Sequence, residues 1–210
     1  MMDPHAGQLM HHMGLPLAAS GRAAILLHGR NASPRNILDL VPRLARPNFT
    51  YLAPAAANST WYPLSFLAER EQNEPFLSSA LRRLDLLIAD VVHSGVPRSR
   101  IVMLGFSQGA CLACEFAYRH PARYGGLVVF SGGLIGPPGT TWTGAGSFDG
   151  MPAFLGGSDS DAHVPVTRVE ESSAVLARMG AVVTTCTYPG MGHLVNDDEI
   201  RHAQTLMDTI

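Results

Sequence analysis

The chemistry this chain can perform is concentrated in one serine and in the acids and histidines that follow it. Residues Gly105-Phe106-Ser107-Gln108-Gly109 read G-x-S-x-G, directly after the apolar run RIVML (100–104) and directly before ACLACEFAY, which has helical character. A sharp strand-to-helix turn of this kind lifts the serine hydroxyl above the edge of a sheet, and glycines let backbone segments approach where a Cβ would clash. A serine hydroxyl is a poor nucleophile at neutral pH and needs a general base held by a third group. Such sites on strand-turn-helix elbows take serine, acid and base in that chain order. His193, in Gly190-Met191-Gly192-His193 just past the apolar run 181–187, is the best-placed base. His202 falls within the helical pattern that follows, and His120 precedes Pro121 on the opposite edge. For the acid, GGSDSDAHVP (156–165) offers Asp159 and Asp161, and Asp161 stands at the loop's tip, four residues before Pro165. Asp149 precedes its strand, and Asp197 and Asp198 follow the base. The chemistry implied is acyl transfer through Ser107, Asp161 and His193.

An acyl-transfer site also needs two backbone N–H groups aimed at the developing oxyanion. Gln108, next after the serine, supplies one. Arg30, in Leu27-His28-Gly29-Arg30-Asn31 at the end of the first central strand, supplies the other, with His28 ordering that loop. Apolar bulk for one side of a substrate comes from Trp61, Tyr62, Pro63 and Phe66, with Leu134, His163 and Met191 expected near the same edge and Glu71, Gln72 and Asn73 on the rim. Cys111 and Cys114 form C-x-x-C about a turn into a helix, where small buried residues explain them better than redox chemistry. No His or Cys positions repeat at metal-ligand spacing, so neither a metal nor a cofactor is expected.

Positioning these groups requires alternating strands and helices. Short apolar runs at 23–28, 49–53, 100–104, 126–130, 152–155 and 181–187 lack polar alternation, which suits strands covered on both faces of a parallel sheet. Between them lie helical patterns, the clearest from about Glu74 to His93, another from near Pro165 to Gly180 and a last one opening near Asn196. Two stretches, 54–72 and 131–150, are too long and irregular for simple connectors. The expectation is one doubly wound α/β domain over 22–210, preceded by a loosely ordered arm over 1–21.

The 210 residues carry 46% hydrophobic and 15% charged side chains with a formal net charge of -2, which fits a soluble globular protein and excludes a nucleic-acid footprint. All 15 basic residues are arginine, so a Schiff base, a pyridoxal phosphate anchor and a Walker A loop are excluded with lysine. The three cysteines are an odd number in a chain too large to need staples, which points to a reducing, cytoplasmic setting. No stretch approaches ~18 consecutive apolar residues, so no membrane span is expected. Exposed apolar loops are compatible with a homodimer.

The combination LLHGRNAS, LAPAAANSTWYPLSF, EQNEP, GFSQGA, SDSDAHVP and GMGH, spread over roughly 22–208, resembles the phospholipase/carboxylesterase family of α/β-hydrolases, which includes acyl-protein thioesterases and bacterial carboxylesterases. The resemblance implies a minimal α/β-hydrolase fold, a mainly parallel sheet of about six strands with helices on both faces and no cap domain. It assigns nucleophile, acid and base to Ser107, Asp161 and His193, and the oxyanion donors to Arg30 and Gln108. It implies a small-molecule carboxylic ester with a short acyl or aromatic group as substrate, the rival being a longer acyl chain on a thioester or lysophospholipid; a non-catalytic binding protein of the same fold is less consistent with an intact triad. Asn31 stands where the family often has glycine, and asparagine tolerates a left-handed backbone better than other residues.

Overall fold

The computed structural model describes residues 3–210. In chain order its elements are β1 (Met10–Gly14), α1 (Leu17–Ser20), β2 (Ala23–Leu27), α2 (Pro34–Leu38), α3 (Val41–Leu44), β3 (Thr50–Pro54), α4 (Phe76–His93), β4 (Ile101–Phe106), α5 (Gln108–Arg119), β5 (Gly126–Phe130), β6 (Pro152–Ser158), α6 (Val166–Arg178), β7 (Val182–Tyr188) and α7 (Asp197–Met207). Each of the six apolar runs becomes a strand, but the run 181–187 is not covered on both faces: β7 is an edge strand with no fully buried residue. The sheet has the order β1-β3-β2-β4-β5-β6-β7, with β1 antiparallel to β3 and every other neighbouring pair parallel.

Alternate residues of the central strands feed two separate cores, because successive side chains point to opposite faces. On β2, Ala23, Ile25 and Leu27 join the core under α4, α5 and α6, whereas Ala24 and Leu26 join the core under α2, α3 and α7. Helix α4 buries Leu77, Ala80, Leu81, Leu84, Leu87, Ile88 and Val91 along one stripe, with Pro75 just before its first turn. Helix α7 opens with a reciprocal cap in which the Asn196 side chain accepts from the Glu199 amide at 2.9 Å and the Glu199 carboxylate accepts from the Asn196 amide at 3.0 Å. Among the described residues no separate cap domain covers the sheet.

The N-terminal segment departs from expectation. The sheet has seven strands rather than about six, and residues 3–21 are not a loose arm. Strand β1, of sequence MHHMG, runs from Met10 opposite Pro54 to Gly14 opposite Thr50. As an edge strand with outward-facing residues it needs no apolar run, so its sequence carries no strand signal. Ahead of it, His5 is fully buried: its amide donates to Ser79 Oγ at 2.9 Å, its Nδ1 accepts from the Ala57 amide at 3.0 Å and its Nε2 pairs with the Trp61 carbonyl at 2.9 Å. Ser79 Oγ in turn donates to the Asp3 carboxylate.

The irregular stretch 131–150 is held from beneath by Arg168 on α6, only 3% exposed, which donates to the carbonyls of Leu134 at 2.9 Å, Gly136 at 2.7 Å and Pro137 at 3.2 Å and lies 4.9 Å from the Trp142 ring centroid. The Gly136 amide donates to the Phe66 carbonyl at 2.8 Å, which ties this loop to 54–72.

Glu199 is fully buried, one carboxylate oxygen has no partner among the described residues, and burial raises its pKa from an ordinary 4.5 to about 7. A raised folded-state pKa means stability that is full below pH 4.5 and lost as pH rises through about 7, on the order of 3 kcal/mol once ionisation is complete. Glu199→Gln keeps an acceptor for the Asn196 amide and cannot ionise. The variant is therefore expected to gain stability relative to wild type between pH 5 and pH 8, read from urea midpoints across that range; a constant difference would contradict the assignment.

Candidate active site

The expected elbow is present between β4 and α5. Ser107 sits at φ 56° and ψ −122°, a backbone conformation that L-residues rarely adopt and that is tolerated only where the surroundings enforce it. Its amide donates to the Phe130 carbonyl at 3.0 Å and its carbonyl accepts from the Cys111 amide at 3.0 Å, so the turn is fixed from the sheet and from the helix. The glycines answer to close contact: a Cβ on Gly105 would lie 2.4 Å from the Gly109 carbonyl, and one on Gly109 would lie 2.1 Å from the Leu27 carbonyl oxygen.

Ser107 Oγ lies 2.9 Å from His193 Nε2, and His193 Nδ1 lies 2.7 Å from Asp161 Oδ2. The Asp161 carboxylate, 1% exposed at its side chain, accepts from Nδ1–H, which leaves Nε2 free to accept the serine proton. Its other oxygen accepts from the His163 amide at 2.8 Å and the Val164 amide at 3.1 Å. Burial works to raise the Asp161 carboxyl, but the bonds from His193 and those two amides outweigh it and hold the acid below its ordinary 3.8. The imidazole is further positioned by Phe106, 4.8 Å between ring centroids, and His163 at 4.7 Å.

Asp159, the competing acid, instead accepts from the Gly190 amide at 2.8 Å, and Ser158 Oγ accepts from the Gly192 amide at 3.0 Å. The acid loop thus braces the loop carrying His193. Gln108 is the first residue of α5, so its N–H has no intrahelical acceptor and is free for an incoming oxyanion. Asn31 has φ 58°, the left-handed conformation that asparagine tolerates, and its amide donates to the Ser59 carbonyl at 2.8 Å.

The side chains of Gln108 and Arg30 do work that sequence reasoning missed. Gln108 Oε1 accepts from the Trp61 amide at 2.9 Å while its Nε2 donates to the Tyr62 carbonyl at 2.7 Å. Arg30 donates to the carbonyls of Pro63 at 2.7 Å and Leu64 at 2.5 Å, and Asn73 Oδ1 accepts from the Leu64 amide at 2.8 Å. Buried Asn73 therefore supports the loop from below rather than lining the rim. Polar residues flanking a long irregular stretch are the only signal that could have suggested this. His28 orders its loop as expected: Nδ1 pairs with the Gly29 carbonyl at 2.8 Å, Nε2 accepts from the Ala56 amide at 3.2 Å, and burial lowers its pKa.

A cleft of about 560 Å³ opens over Ser107. Tyr62, Pro63, Phe66 and His163 line it as expected, joined by Leu64, Phe106 and Val164, which the sequence did not single out. Three of the expected residues do not line it. Trp61 is fully buried beneath the loop, where its Nε1 donates to the His28 carbonyl at 2.9 Å. Leu134 is fully buried with its amide on Ser172 Oγ at 2.8 Å, and Met191 turns away so that its sulfur accepts from Asn196 Nδ2 at 2.9 Å. Cys111 and Cys114 are buried in α5, and burial pushes the Cys111 thiol up to about 12, the reverse of what dithiol redox chemistry needs.

This fold and this hydrogen-bonded serine, histidine and aspartate define an α/β-hydrolase, and the chain belongs to the phospholipase/carboxylesterase family, whose model matches residues 18–210. Relatives include acyl-protein thioesterase 1 of Eremothecium gossypii, 30% identical over 142 residues that make up 61% of this chain and 59% of that protein. The Oryza sativa subsp. japonica protein named "Probable carboxylesterase Os04g0669600" is 25% identical over 214 residues, 90% of this chain and 88% of its own length. A crystal structure of a phospholipase/carboxylesterase from Dyadobacter fermentans superposes with a TM-score of 0.91 at 37% identity over 96% of both chains.

Gly109→Ala places a methyl group against the Leu27 backbone, which cannot move without shifting β2. Overpacking of this kind costs typically ~1 to 3 kcal/mol. The variant is expected to unfold at lower urea than wild type; an unchanged midpoint would show that the elbow has slack the structure does not display.

Proposed function

We propose that the protein is a serine carboxylesterase that hydrolyses short-chain or aromatic carboxylic esters in the cytoplasm. The observation that carries this reading is the continuous hydrogen-bonded chain from Ser107 through His193 to Asp161 at the floor of a cleft walled by Tyr62, Phe66 and Val164. Similarity to a Dyadobacter phospholipase/carboxylesterase over nearly the whole chain supports the class of reaction.

In this mechanism His193 Nε2 takes the Ser107 proton as Oγ attacks the ester carbonyl, and Asp161 stabilises the imidazolium that forms. The Arg30 and Gln108 amides receive the oxyanion, where each such donor contributes ~2.7 to 4 kcal/mol to transition-state stabilisation in hydrolases of this type. Collapse of the tetrahedral intermediate expels the alcohol, protonated by His193. Water activated by the same imidazole then attacks the acyl-serine and releases the carboxylic acid. No step calls on a metal or cofactor.

The test is hydrolysis of p-nitrophenyl esters from acetate to palmitate. Turnover fastest on short chains and abolished in Ser107→Ala is expected; an optimum at long chains would replace this reading with an acyl thioesterase or lysophospholipase, and turnover equal in both proteins would remove Ser107 from the mechanism. Asp161→Asn holds the imidazole in the wrong tautomer and is expected to lower kcat by about 10³- to 10⁴-fold with little change in KM. A loss under tenfold would point to Asp159 as the working acid.

A further inference from the structure

Cys186 on β7 and Asp198 and His202 on α7 bring three metal-ligating atoms within 4.8 Å of one another, and none of the three residues lines the cleft over Ser107. Cys186 Sγ lies 3.5 Å from His202 Nε2, and His202 Nε2 lies 3.5 Å from Asp198 Oδ2. Tetrahedral zinc with its usual bond lengths separates a thiolate sulfur from an imidazole nitrogen by about 3.6 Å and that nitrogen from a carboxylate oxygen by about 3.3 Å. The two measured separations fall within a few tenths of an ångström of those values.

We propose that Cys186, Asp198 and His202 form a binding site for a divalent transition-metal ion of the zinc class, with three protein ligands and one position open to water. The donor set favours that class: thiolate and imidazole suit zinc and its neighbours, whereas calcium and magnesium take oxygen ligands. The donors are held by the fold. Asp198 and His202 stand four residues apart on one face of α7, and the His202 ring stacks on Phe154 at 4.6 Å with the planes 11° apart. Tyr188, two residues beyond Cys186 on the same face of β7, donates to Asp198 Oδ2 at 2.8 Å, the outer hydrogen bond that ligating carboxylates usually have. Arg201 donates to the other oxygen, Oδ1, at 2.8 Å and leaves Oδ2 on the side of the imidazole. All three ligands are partly exposed, so an ion has a path in. On binding, the Cys186 thiol gives its proton to solvent and the thiolate sulfur, the neutral His202 Nε2 and the Asp198 carboxylate each donate an electron pair, so affinity falls as pH is lowered. An ion there would tie β7 to α7 on either side of loop 189–196, which carries His193.

The experiment is titration of the chelator-treated, full-length protein with cobalt(II), whose bond to a thiolate produces an intense near-ultraviolet charge-transfer band. Because Cys111 and Cys114 are buried and Cys186 is partly exposed, the band reports this site. The expected result is a band that saturates at one cobalt per chain, is displaced by one equivalent of zinc, disappears in Cys186→Ser and needs at least tenfold more cobalt in His202→Asn or Asp198→Asn, with circular dichroism showing that all three variants are folded. Absence of the band in the wild type, or its survival in Cys186→Ser, overturns the proposal. The readout is independent of ester turnover, so it stands or falls apart from the reading of Ser107.

Discussion

Much of this molecule follows from how closely the first turn of α5 approaches the end of β2. At Gly109 the helix backbone lies against the Leu27 and His28 carbonyls with no room for a side chain. That contact brings the start of a helix, with the unpaired Gln108 amide, beside the loop that follows a neighbouring strand. The strained Ser107 backbone is a consequence of the same approach: the chain must reverse between strand and helix within a single residue, and conformations of this cost persist only when both flanking elements are held. Here the Phe130 carbonyl holds one side and the first helical hydrogen bond holds the other.

Around that contact the loops are fixed by side chains rather than by regular structure. Gln108 binds the backbone of 61–62 through both ends of its amide, Arg30 and Asn73 bind 63–65, and Arg168 gathers the carbonyls of Leu134, Gly136 and Pro137. A buried loop leaves backbone donors and acceptors without ladder partners, and each one left unmatched costs free energy. Long polar side chains reaching in from neighbouring elements meet that requirement. The walls of the cleft are therefore held by specific hydrogen bonds, although nothing in their sequence is periodic.

The five covered strands and the three long helices were legible because apolar runs and helical spacing are direct records of burial, whereas the apolar run of β7 marks an exposed edge strand. That Ser107, Asp161 and His193 come together could be read from the sequence because each falls at the carboxyl end of a strand. What escaped was set by orientation and by distance in the chain. Strand β1 shows no apolar run because it has one partner and an outward face. Trp61, Leu134 and Met191 were credited to the cleft for their size and position, but size does not say which way a side chain points, and all three turn inward or aside. Asp198 and His202 are spaced four apart on α7, but Cys186 lies far from them in the chain and joins them only because α7 packs against the sheet beside β7.

The two edges of the sheet are protected unequally. Strand β3 is buried along its whole length and contains no charged residue, and β1, held in place by the buried His5 ahead of it, is what stands between β3 and solvent. A bare strand with those properties is a template for pairing with any other extended chain. Residues 3–14 therefore work as a built-in guard against aggregation, and proteolytic trimming beyond Gly14 would turn a shielded edge into an adhesive one without touching Ser107.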